Sequence, residues 1–265
     1  MTKAGVIGFP IEHSKSPLIH NYWLKKYGID ASYDKYEVRD LADFMKNSGD
    51  FAGFNVTVPH KTAVMPFMDD LSEQARKAGA VNTVVVRSDG TLYGHNTDGI
   101  GFVANVLTHN PAFRLKGSVV TVLGTGGAAR GICAAMAEAA EIRLVYRTLE
   151  KAQSIKRAIG DNVVLVPWTE KQAVLKDTDL LANATTLGMN GFEGLNIDLT
   201  PLKSSATVAD LVYAPLKTKL LEQAEQKGFA TADGLGMLLE QARPAFQAFF
   251  GVLPEITDEL RALVA

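Results

Sequence analysis

Cysteine is almost absent from this sequence, which has one, Cys133, among 265 residues. A single cysteine excludes an intrachain disulfide, a cysteine-rich zinc site and a C-x-x-C redox pair. Long hydrophobic runs are lacking too: no stretch approaches the ~18 apolar residues that span a bilayer, and none near the N-terminus has the length of a signal sequence. We therefore predict a cytoplasmic protein from a reducing compartment, with no membrane partner.

A surplus of positive charge is also missing. The 27 Lys and Arg residues are balanced by 29 Asp and Glu residues, which gives a formal net charge of −2. Domains that bind nucleic acid by neutralising phosphates carry a basic surplus, so this class of protein is excluded. The 5 histidines show no H-E-x-x-H or comparable spacing, and we predict no metal site.

The sequence does have an ordinary globular composition, 47% hydrophobic and 21% charged. Short β-branched runs alternate with helical segments, a pattern that builds mostly parallel sheets covered on both faces. We predict an α/β protein with one large or two medium-sized domains. The predicted strands cover residues 4–8, 33–38, 53–58, 81–87, 119–123, 142–146, 163–166, 179–182, 208–212 and 229–231.

Helix signals indicate a domain boundary near residue 100. Residues 96–99 are a cluster of N-cap residue types before a helix over 100–107, which Pro111 ends. From Gly234 onward, apolar residues at i, i+3, i+4 and i+7 spacing predict a long helix, and Pro254 is expected to open a last short one.

A glycine-rich loop follows the most apolar predicted strand, 119–123. Residues 124–129 match G-x-G-x-x-A between this strand and an Ala-rich helix over 132–140. Glycines here permit a tight turn and close approach of a pyrophosphate, which the helix N-terminus then stabilises. A glycine turn that binds nothing is the alternative, but the strand, loop, helix and second strand together favour dinucleotide binding.

The end of the next strand indicates which dinucleotide binds. An NAD site has Asp or Glu about 20 residues past the loop to bind the ribose 2′-hydroxyl. This chain has Arg147 and Thr148 there, with Lys151 one turn later. Guanidinium and hydroxyl donors suit a 2′-phosphate, so NADP is favoured; an Arg147 that is merely solvated is the alternative.

Polar residues near element ends in the first hundred residues together suit a small polyhydroxylated acid. Ser14 and Ser16 lie at a predicted helix start, where hydroxyls and the helix dipole can bind a carboxylate. Lys61 follows a strand that a proline ends, at the edge where α/β proteins bind ligands. Taken singly, each has a plainer explanation: Ser16 and Asp98 as N-caps, and Lys61 as a surface lysine.

Eight motifs, in order and over nearly the whole chain, resemble those of the shikimate dehydrogenase family. They are H-S-x-S-P (13–17), G-x-N-V-T-V-P-x-K (53–61), G-A-V-N-T (79–83), N-T-D-G (96–99), G-x-G-G-A (124–128), N-A-T-x-x-G-M (183–189), Y-x-P (213–215) and G-L-G-M-L-x-x-Q-A (234–242). Such a series is far more specific than a single glycine pattern.

The resemblance implies reversible, NADPH-dependent reduction of 3-dehydroshikimate to shikimate, a step of the shikimate pathway of aromatic amino-acid biosynthesis. It also implies two domains with the site between them. A discontinuous α/β substrate domain with a mostly parallel sheet would comprise residues 1–100 plus 238–265. A doubly wound, Rossmann-type NADP domain would comprise residues 101–237. We expect a monomer or a homodimer.

A role for each matching residue is implied as well. Lys61 and Asp98 would be the catalytic pair. The substrate-binding residues would be Ser14, Ser16, Thr57, Asn82, Asp98, Tyr213 and Gln241. The cofactor-binding residues would be Gly124, Gly126, Gly127, Ala128, Arg147, Thr148, Lys151, Leu211 and Gly234. Independently, helical spacing places Gln241 roughly 120° from the centre of the C-terminal apolar stripe, where its side chain is free to face a cleft.

Three alternatives stay open. A quinate/shikimate dehydrogenase-like paralogue with broader substrates or NAD use is disfavoured by Arg147. A folate-type dehydrogenase of similar build is disfavoured by the serine pair and Gln241, and a non-catalytic NADP-binding sensor by the presence of Lys61 and Asp98. The family commonly has Asn where this chain has Tyr146, which affects adenosine packing more than phosphate binding.

Overall fold

The computed structural model describes residues 2–265, which form two compact units. Unit 1 comprises Met1–Asp98, described from Thr2 onward, and Leu239–Ala265. Unit 2 comprises Gly99–Leu238. Unit 1 is therefore discontinuous in sequence.

Unit 1 is built on a six-stranded mixed sheet with the order β2-β1-β3-β5-β6-β4. β1 pairs in parallel with β2 and β3, and β4 with β6, whereas β5 is antiparallel to both of its neighbours. The strands are β1 (Thr2–Gly8), β2 (Ala31–Glu37), β3 (Phe51–Val56), β4 (Asp70–Leu71), β5 (Thr83–Val86) and β6 (Leu92–His95). The helices of unit 1 alone are α1 (Ser16–Tyr27), α2 (Leu41–Lys46), α3 (Glu73–Ala78) and α9 (Asp258–Val264).

An apolar core packs against the sheet of unit 1. This core includes Ile7, Phe54, Val56 and Val84, each at most 2% exposed. An aromatic cluster forms elsewhere in the unit, where His20 stacks on Tyr33 at 3.9 Å and Trp23 meets Phe246 edge-on at 5.4 Å. These contacts hold α1, whose first residue is Ser16, against β2.

Unit 2 is built on six parallel strands with the order β12-β11-β10-β7-β8-β9. Read from β9, this is the 3-2-1-4-5-6 order of doubly wound dinucleotide-binding folds, and it reverses between β7 and β10. The strands are β7 (Val119–Leu123), β8 (Glu141–Tyr146), β9 (Val163–Pro167), β10 (Leu180–Asn183), β11 (Thr207–Asp210) and β12 (Ala230–Ala232). The predicted α/β class and Rossmann-type sheet are confirmed.

The helices of unit 2 are α5 (Gly127–Ala135), α6 (Leu149–Ile159) and α7 (Lys219–Gln226). Two further helices, α4 (Asp98–His109) and α8 (Gly234–Phe250), include the residues at which the chain passes from one unit to the other. None of the helices in residues 2–265 combines the length and apolar character needed to cross a membrane.

Three predictions at helix ends are wrong. Lys15, not Ser16, is the N-cap of α1, and Ser16 is its first residue. The Ala-rich helix predicted over 132–140 begins at Gly127 and ends at Ala135, because Ala140 N–H bonds to the Ser118 carbonyl at 2.9 Å and so leads into β8. Pro254 does not open α9, which Thr257 caps. The Pro254 carbonyl instead accepts a hydrogen bond from Arg243 Nε at 2.8 Å.

Candidate active site

Lys61 and Asp98 form a close ion pair in unit 1. The distance from Lys61 Nζ to Asp98 Oδ2 is 2.6 Å, and the side chains are only 15% and 7% exposed. Lys61 lies beyond the end of β3, and its carbonyl accepts from Val81 N at 2.7 Å. Asp98 is the first residue of α4. The side chain of Asn96 accepts the Asp98 N–H at 3.1 Å.

Asn82 orients the carboxylate of this ion pair through a hydrogen bond. Its Nδ2 donates to Asp98 Oδ1 at 2.8 Å, while its Oδ1 accepts from Thr97 N at 2.8 Å. Because a backbone N–H only donates, the Asn82 amide is fixed with its nitrogen toward the carboxylate. Asn82 itself is held between strands, since its N–H donates to the His95 carbonyl at 3.0 Å and its carbonyl accepts from Val56 N at 2.8 Å.

Gln241 and Thr97 extend the same polar cluster. Gln241 lies on α8, and its Oε1 is 3.4 Å from Asn82 Nδ2 and 3.3 Å from Thr97 Oγ1. The predicted residues Lys61, Asn82, Asp98 and Gln241 are therefore brought together, although 180 positions separate Lys61 from Gln241. Thr97 is fully buried in the cluster and was not predicted; its place directly before Asp98 in N-T-D-G was the signal.

Ser14 and Ser16 lie at the N-terminus of α1. Ser14 Oγ accepts the Ser16 N–H at 3.3 Å, and no side chain caps α1 from Lys15. Thr57 directly follows β3, where its N–H donates to the Ile7 carbonyl at 2.9 Å. Ser16 is buried, whereas Ser14 and Thr57 are half-buried.

Asn55 and Tyr33, two residues that sequence reasoning missed, connect this region to Asn82. Tyr33 Oη donates to Asn55 Oδ1 at 2.6 Å, and Asn55 Nδ2 donates to the Asn82 carbonyl at 3.2 Å. Burial raises the pKa of Tyr33 well above its usual value, against the opposing effect of a hydrogen bond with Ser16. The Asn of the G-x-N-V-T motif was the available signal for Asn55, whereas no local pattern marks Tyr33.

The glycine loop of unit 2 lies between β7 and α5. Gly124 has a φ of 104°, and a Cβ there would lie 3.0 Å from the carbonyl oxygen of Ala184. Gly126 is the N-cap of α5, which has neither a side-chain cap nor an acidic residue in its first turn, where Gly127 and Ala128 lie. The first N–H groups of α5 and its dipole are thus suited to an anion. This cradle fits the pyrophosphate of a dinucleotide.

Arg147, Thr148 and Lys151 are exposed at the carboxyl end of β8 and the start of α6. The Arg147 guanidinium lies over the Trp168 ring, 4.5 Å from its centroid. Thr148 is the N-cap of α6 but makes no capping bond with its side chain. A guanidinium, an ammonium and a hydroxyl near one strand end match the donor set that a ribose 2′-phosphate requires.

Tyr213 and Leu211 lie in the loop after β11, in unit 2. Leu211 N–H donates to the Asn183 carbonyl at 3.0 Å, and burial raises the pKa of Tyr213. Gly234 begins α8 against this loop: a Cβ on it would lie 2.4 Å from the Leu211 carbonyl oxygen. Tyr213 therefore belongs to a different unit from the other residues predicted to bind substrate.

Comparison with known proteins identifies the relatives of this chain. The family model for the shikimate dehydrogenase substrate binding domain matches residues 6–84. A shikimate dehydrogenase (NADP(+)) of Paramagnetospirillum magneticum is 46% identical over 268 residues, covering 98% of this chain and 97% of the relative. A solved shikimate dehydrogenase in complex with NADP+ matches with a TM-score of 0.91 at 32% identity, covering 100% of this chain and 94% of that one. A quinate dehydrogenase from Corynebacterium glutamicum in complex with NAD matches with a TM-score of 0.90 at 30% identity, covering 99% and 98% of the two chains. The chain belongs to the shikimate dehydrogenase family.

Proposed function

We propose that this protein catalyses the reversible, NADPH-dependent reduction of 3-dehydroshikimate to shikimate, a step of the shikimate pathway of aromatic amino-acid biosynthesis. The proposal agrees with the name of its relatives, shikimate dehydrogenase (NADP(+)). The observation that carries the proposal is the buried Lys61–Asp98 pair, 2.6 Å apart, within the cluster of Asn82, Thr97 and Gln241. A binding protein or sensor has no need of a buried acid–base pair. An oxidoreductase that moves a proton as well as a hydride does.

Lys61 acts as the general acid in the reductive direction. NADPH, when bound, would supply the hydride for the carbonyl carbon at C3, so that negative charge would develop on the carbonyl oxygen. The Lys61 ammonium stabilises this charge and donates a proton to the oxygen, giving the hydroxyl; in reverse, the neutral amine accepts that proton. Asp98 holds the ammonium and, with Asn82, orients it toward the substrate.

The remaining polar residues divide between the two ligands. Ser14 and Ser16 bind the substrate carboxylate at the start of α1, and Thr57, Asn82, Asp98, Tyr213 and Gln241 bind its hydroxyls or ring. The substrate domain is unit 1 in this proposal and the NADP domain is unit 2. The loop from Gly124 through Ala128, with Leu211 and Gly234, contacts the dinucleotide, and Arg147, Thr148 and Lys151 recognise its 2′-phosphate.

Replacing Lys61 tests the mechanism. Lys61→Ala is expected to lower kcat by about 10²–10⁴-fold, the usual contribution of a general acid, while the Kd of NADP+ stays unchanged. Shikimate oxidation gives kcat, and calorimetric titration gives Kd. Lys77→Ala is the matched control, since Lys77 also lies 2.6 Å from a carboxylate, that of Glu73, but is 50% exposed. Near-normal turnover by Lys61→Ala removes Lys61 from the mechanism.

Substrate and cofactor choice is tested by assaying shikimate and quinate, each with NADP+ and with NAD+. We expect shikimate with NADP+ to give the highest kcat/KM. Faster turnover of quinate with NAD+ would favour the activity named for the Corynebacterium glutamicum protein, and no turnover in any combination would favour a sensor. The cytoplasmic location and the monomeric or homodimeric state stay predictions from the sequence.

A further inference from the structure

Asp210 joins three segments at the carboxyl edge of the unit 2 sheet. It is the last residue of β11 and is 1% exposed. Its Oδ1 accepts from Val212 N at 3.0 Å and Asn183 Nδ2 at 2.9 Å, and its Oδ2 accepts from Thr218 Oγ1 at 2.7 Å. These donors belong to the loop after β11, the end of β10 and the N-cap of α7.

Each of these three donors requires an acceptor. Val212 N–H only donates. Asn183 cannot turn its amide, because its Oδ1 accepts from Thr185 Oγ1 at 2.7 Å and its Nδ2 also donates to the Leu187 carbonyl at 3.0 Å. Thr218 Oγ accepts from Leu221 N as the cap of α7, so the Thr218 hydroxyl hydrogen is directed at Asp210. A carboxylate accepts at both oxygens without donating, and an amide does not.

The Asp210 carboxylate lacks a cationic partner. None of the ion pairs in the part of the chain that the structure describes involves it, and burial raises its pKa to about 6. A buried carboxylate without a cation is destabilising relative to a neutral or apolar side chain. The need to fill the core therefore does not explain why an aspartate lies at position 210. The need to hold three donors in one arrangement does explain it.

The segments that Asp210 holds contain or adjoin residues that the proposed function assigns to NADP and substrate binding. The loop after β11 carries Leu211 and Tyr213, and the segment after Asn183 lies against the glycine loop, since a Cβ on Gly124 would be 3.0 Å from Thr185 Cγ2. We infer that Asp210 is a positioning residue, whose carboxylate fixes this loop so that Leu211 and Tyr213 are presented to NADP and to the substrate. The inference rests on the proposed function.

Asp210→Ala is expected to raise the KM of NADP+, the KM of shikimate and the calorimetric Kd of NADP+ by about tenfold each, because three donors lose their acceptor. These constants do not depend on how much of the sample is folded, so a merely structural role would lower only the maximal rate and the Tm. Asp210→Asn keeps acceptors for Val212 and Asn183 and should give intermediate values. Thr218→Ser keeps the donating hydroxyl and should behave as the wild type.

Asp179→Ala is the matched control, from the opposite end of the same sheet. Asp179 precedes β10, and its carboxylate accepts from Val119 N and Lys203 Nζ, each at 2.8 Å. We expect this variant to lose stability with the KM and Kd values within about twofold of the wild type. If Asp210→Ala does not fold, Thr218→Val replaces it. A rise of about threefold in the Kd of NADP+ is expected from the loss of the hydrogen bond to Asp210. The capping bond from Leu221 N is lost as well, which lowers the Tm.

The inference is overturned if the KM and Kd values of Asp210→Ala, or the Kd of Thr218→Val in its place, lie within twofold of the wild type. An equal rise in these constants for Asp179→Ala overturns it as well. The wild-type assay separates this result from a failure of the proposed function. If the wild type does not oxidise shikimate, the proposed function fails, while the Kd of NADP+ still tests what Asp210 does for the dinucleotide.

Discussion

At the scale of single residues, the proposed function makes cofactor preference depend on Arg147. Its guanidinium is exposed at the end of β8, the position where an NAD site has an acid, and it lies 4.5 Å from the centroid of the Trp168 ring. Stacking on an aromatic ring orients the planar group without using its N–H donors. We therefore expect the Arg147 guanidinium to be available for a bidentate contact with a phosphate.

Arg147→Ala is expected to raise the KM of NADP+ by about 10–100-fold, the effect of losing charge-assisted hydrogen bonds to a phosphate, with the KM of NAD+ changed by less than about twofold. Steady-state kinetics of shikimate oxidation with each cofactor measure both. Arg157→Ala is the control, since Arg157 is an exposed arginine in the last turn of α6, the helix that follows Arg147. A parallel rise in the KM of NADP+ and NAD+ would contradict 2′-phosphate recognition by Arg147.

At the scale of elements, the loop before α5 contains two glycines in different surroundings, and we expect the fold to require the first and the dinucleotide to require the second. Gly124 has a positive φ and a crowded Cβ position. Gly126 has a φ of −75°, and a Cβ on it would have no atom within 4 Å among the described residues. Alanine at 126 thus fits the fold but occupies space beside the helix N-terminus, where a pyrophosphate binds in folds of this type.

Gly126→Ala is expected to raise the KM of both NADP+ and NAD+ by about tenfold or more, because both share the pyrophosphate, with a loss of no more than about 1 kcal/mol in stability for the weaker N-cap. Kinetics with each cofactor and urea denaturation measure the two effects. Gly49→Ala is a control, since a Cβ on Gly49 also meets nothing within 4 Å. Unchanged KM values in Gly126→Ala would remove the glycine loop from the cofactor site.

The strands buried on both faces are the elements that the sequence predicts best. The continuous apolar run at 119–123 coincides with β7, because every position there is apolar or β-branched whichever side it faces. β4, Asp70–Leu71, was not predicted, since two residues carry no periodicity and form a strand only by pairing with β6. Local composition likewise predicted more helix after Ala135 than the contact between Ala140 and Ser118 permits.

The candidate site was predictable to the extent that its chemistry lies in contiguous motifs. Lys61, Asn82 and Asp98 were named from such motifs, and the structure brings them into hydrogen-bonding contact. Tyr33 and Asp210 were not, because each acts through hydrogen bonds that only the folded sheet creates. Nothing local distinguishes an aspartate at a strand end that joins three segments from one that faces solvent.

At the scale of the whole molecule, two buried titratable groups affect stability in opposite directions. Burial lowers the pKa of His20 in unit 1 from 6.5 to about 3, and Nδ1 of this histidine has no hydrogen-bond partner among the described residues. Burial raises the pKa of Asp210 in unit 2 from 3.8 to about 6. Each group therefore links the free energy of unfolding to pH.

The signs follow from which state binds more protons. Between pH 6.5 and about 3, His20 is protonated in the unfolded chain but neutral in the folded one, so its contribution to stability is lost as pH falls. Between about pH 6 and 3.8, Asp210 is protonated in the folded protein but ionised in the unfolded chain, so stability rises as pH falls. The two effects partly cancel between pH 6 and 4.

Removing one group at a time is expected to expose each effect. For His20→Phe, the free energy of unfolding of the variant minus that of the wild type should be about 2 kcal/mol more positive at pH 5 than at pH 8. The reason is that the unfolded variant no longer takes up the proton that His20 binds below pH 6.5, about 1.5 pH units above pH 5. For Asp210→Asn, the same difference should be about 1 kcal/mol more negative at pH 5 than at pH 8, because the stabilising protonation of the folded wild type is lost. Urea denaturation at the two pH values measures both, and comparing the two pH values cancels packing changes that do not depend on pH. Shifts of the same sign in the two variants would contradict the opposite linkage that burial imposes on a histidine and on a carboxylate.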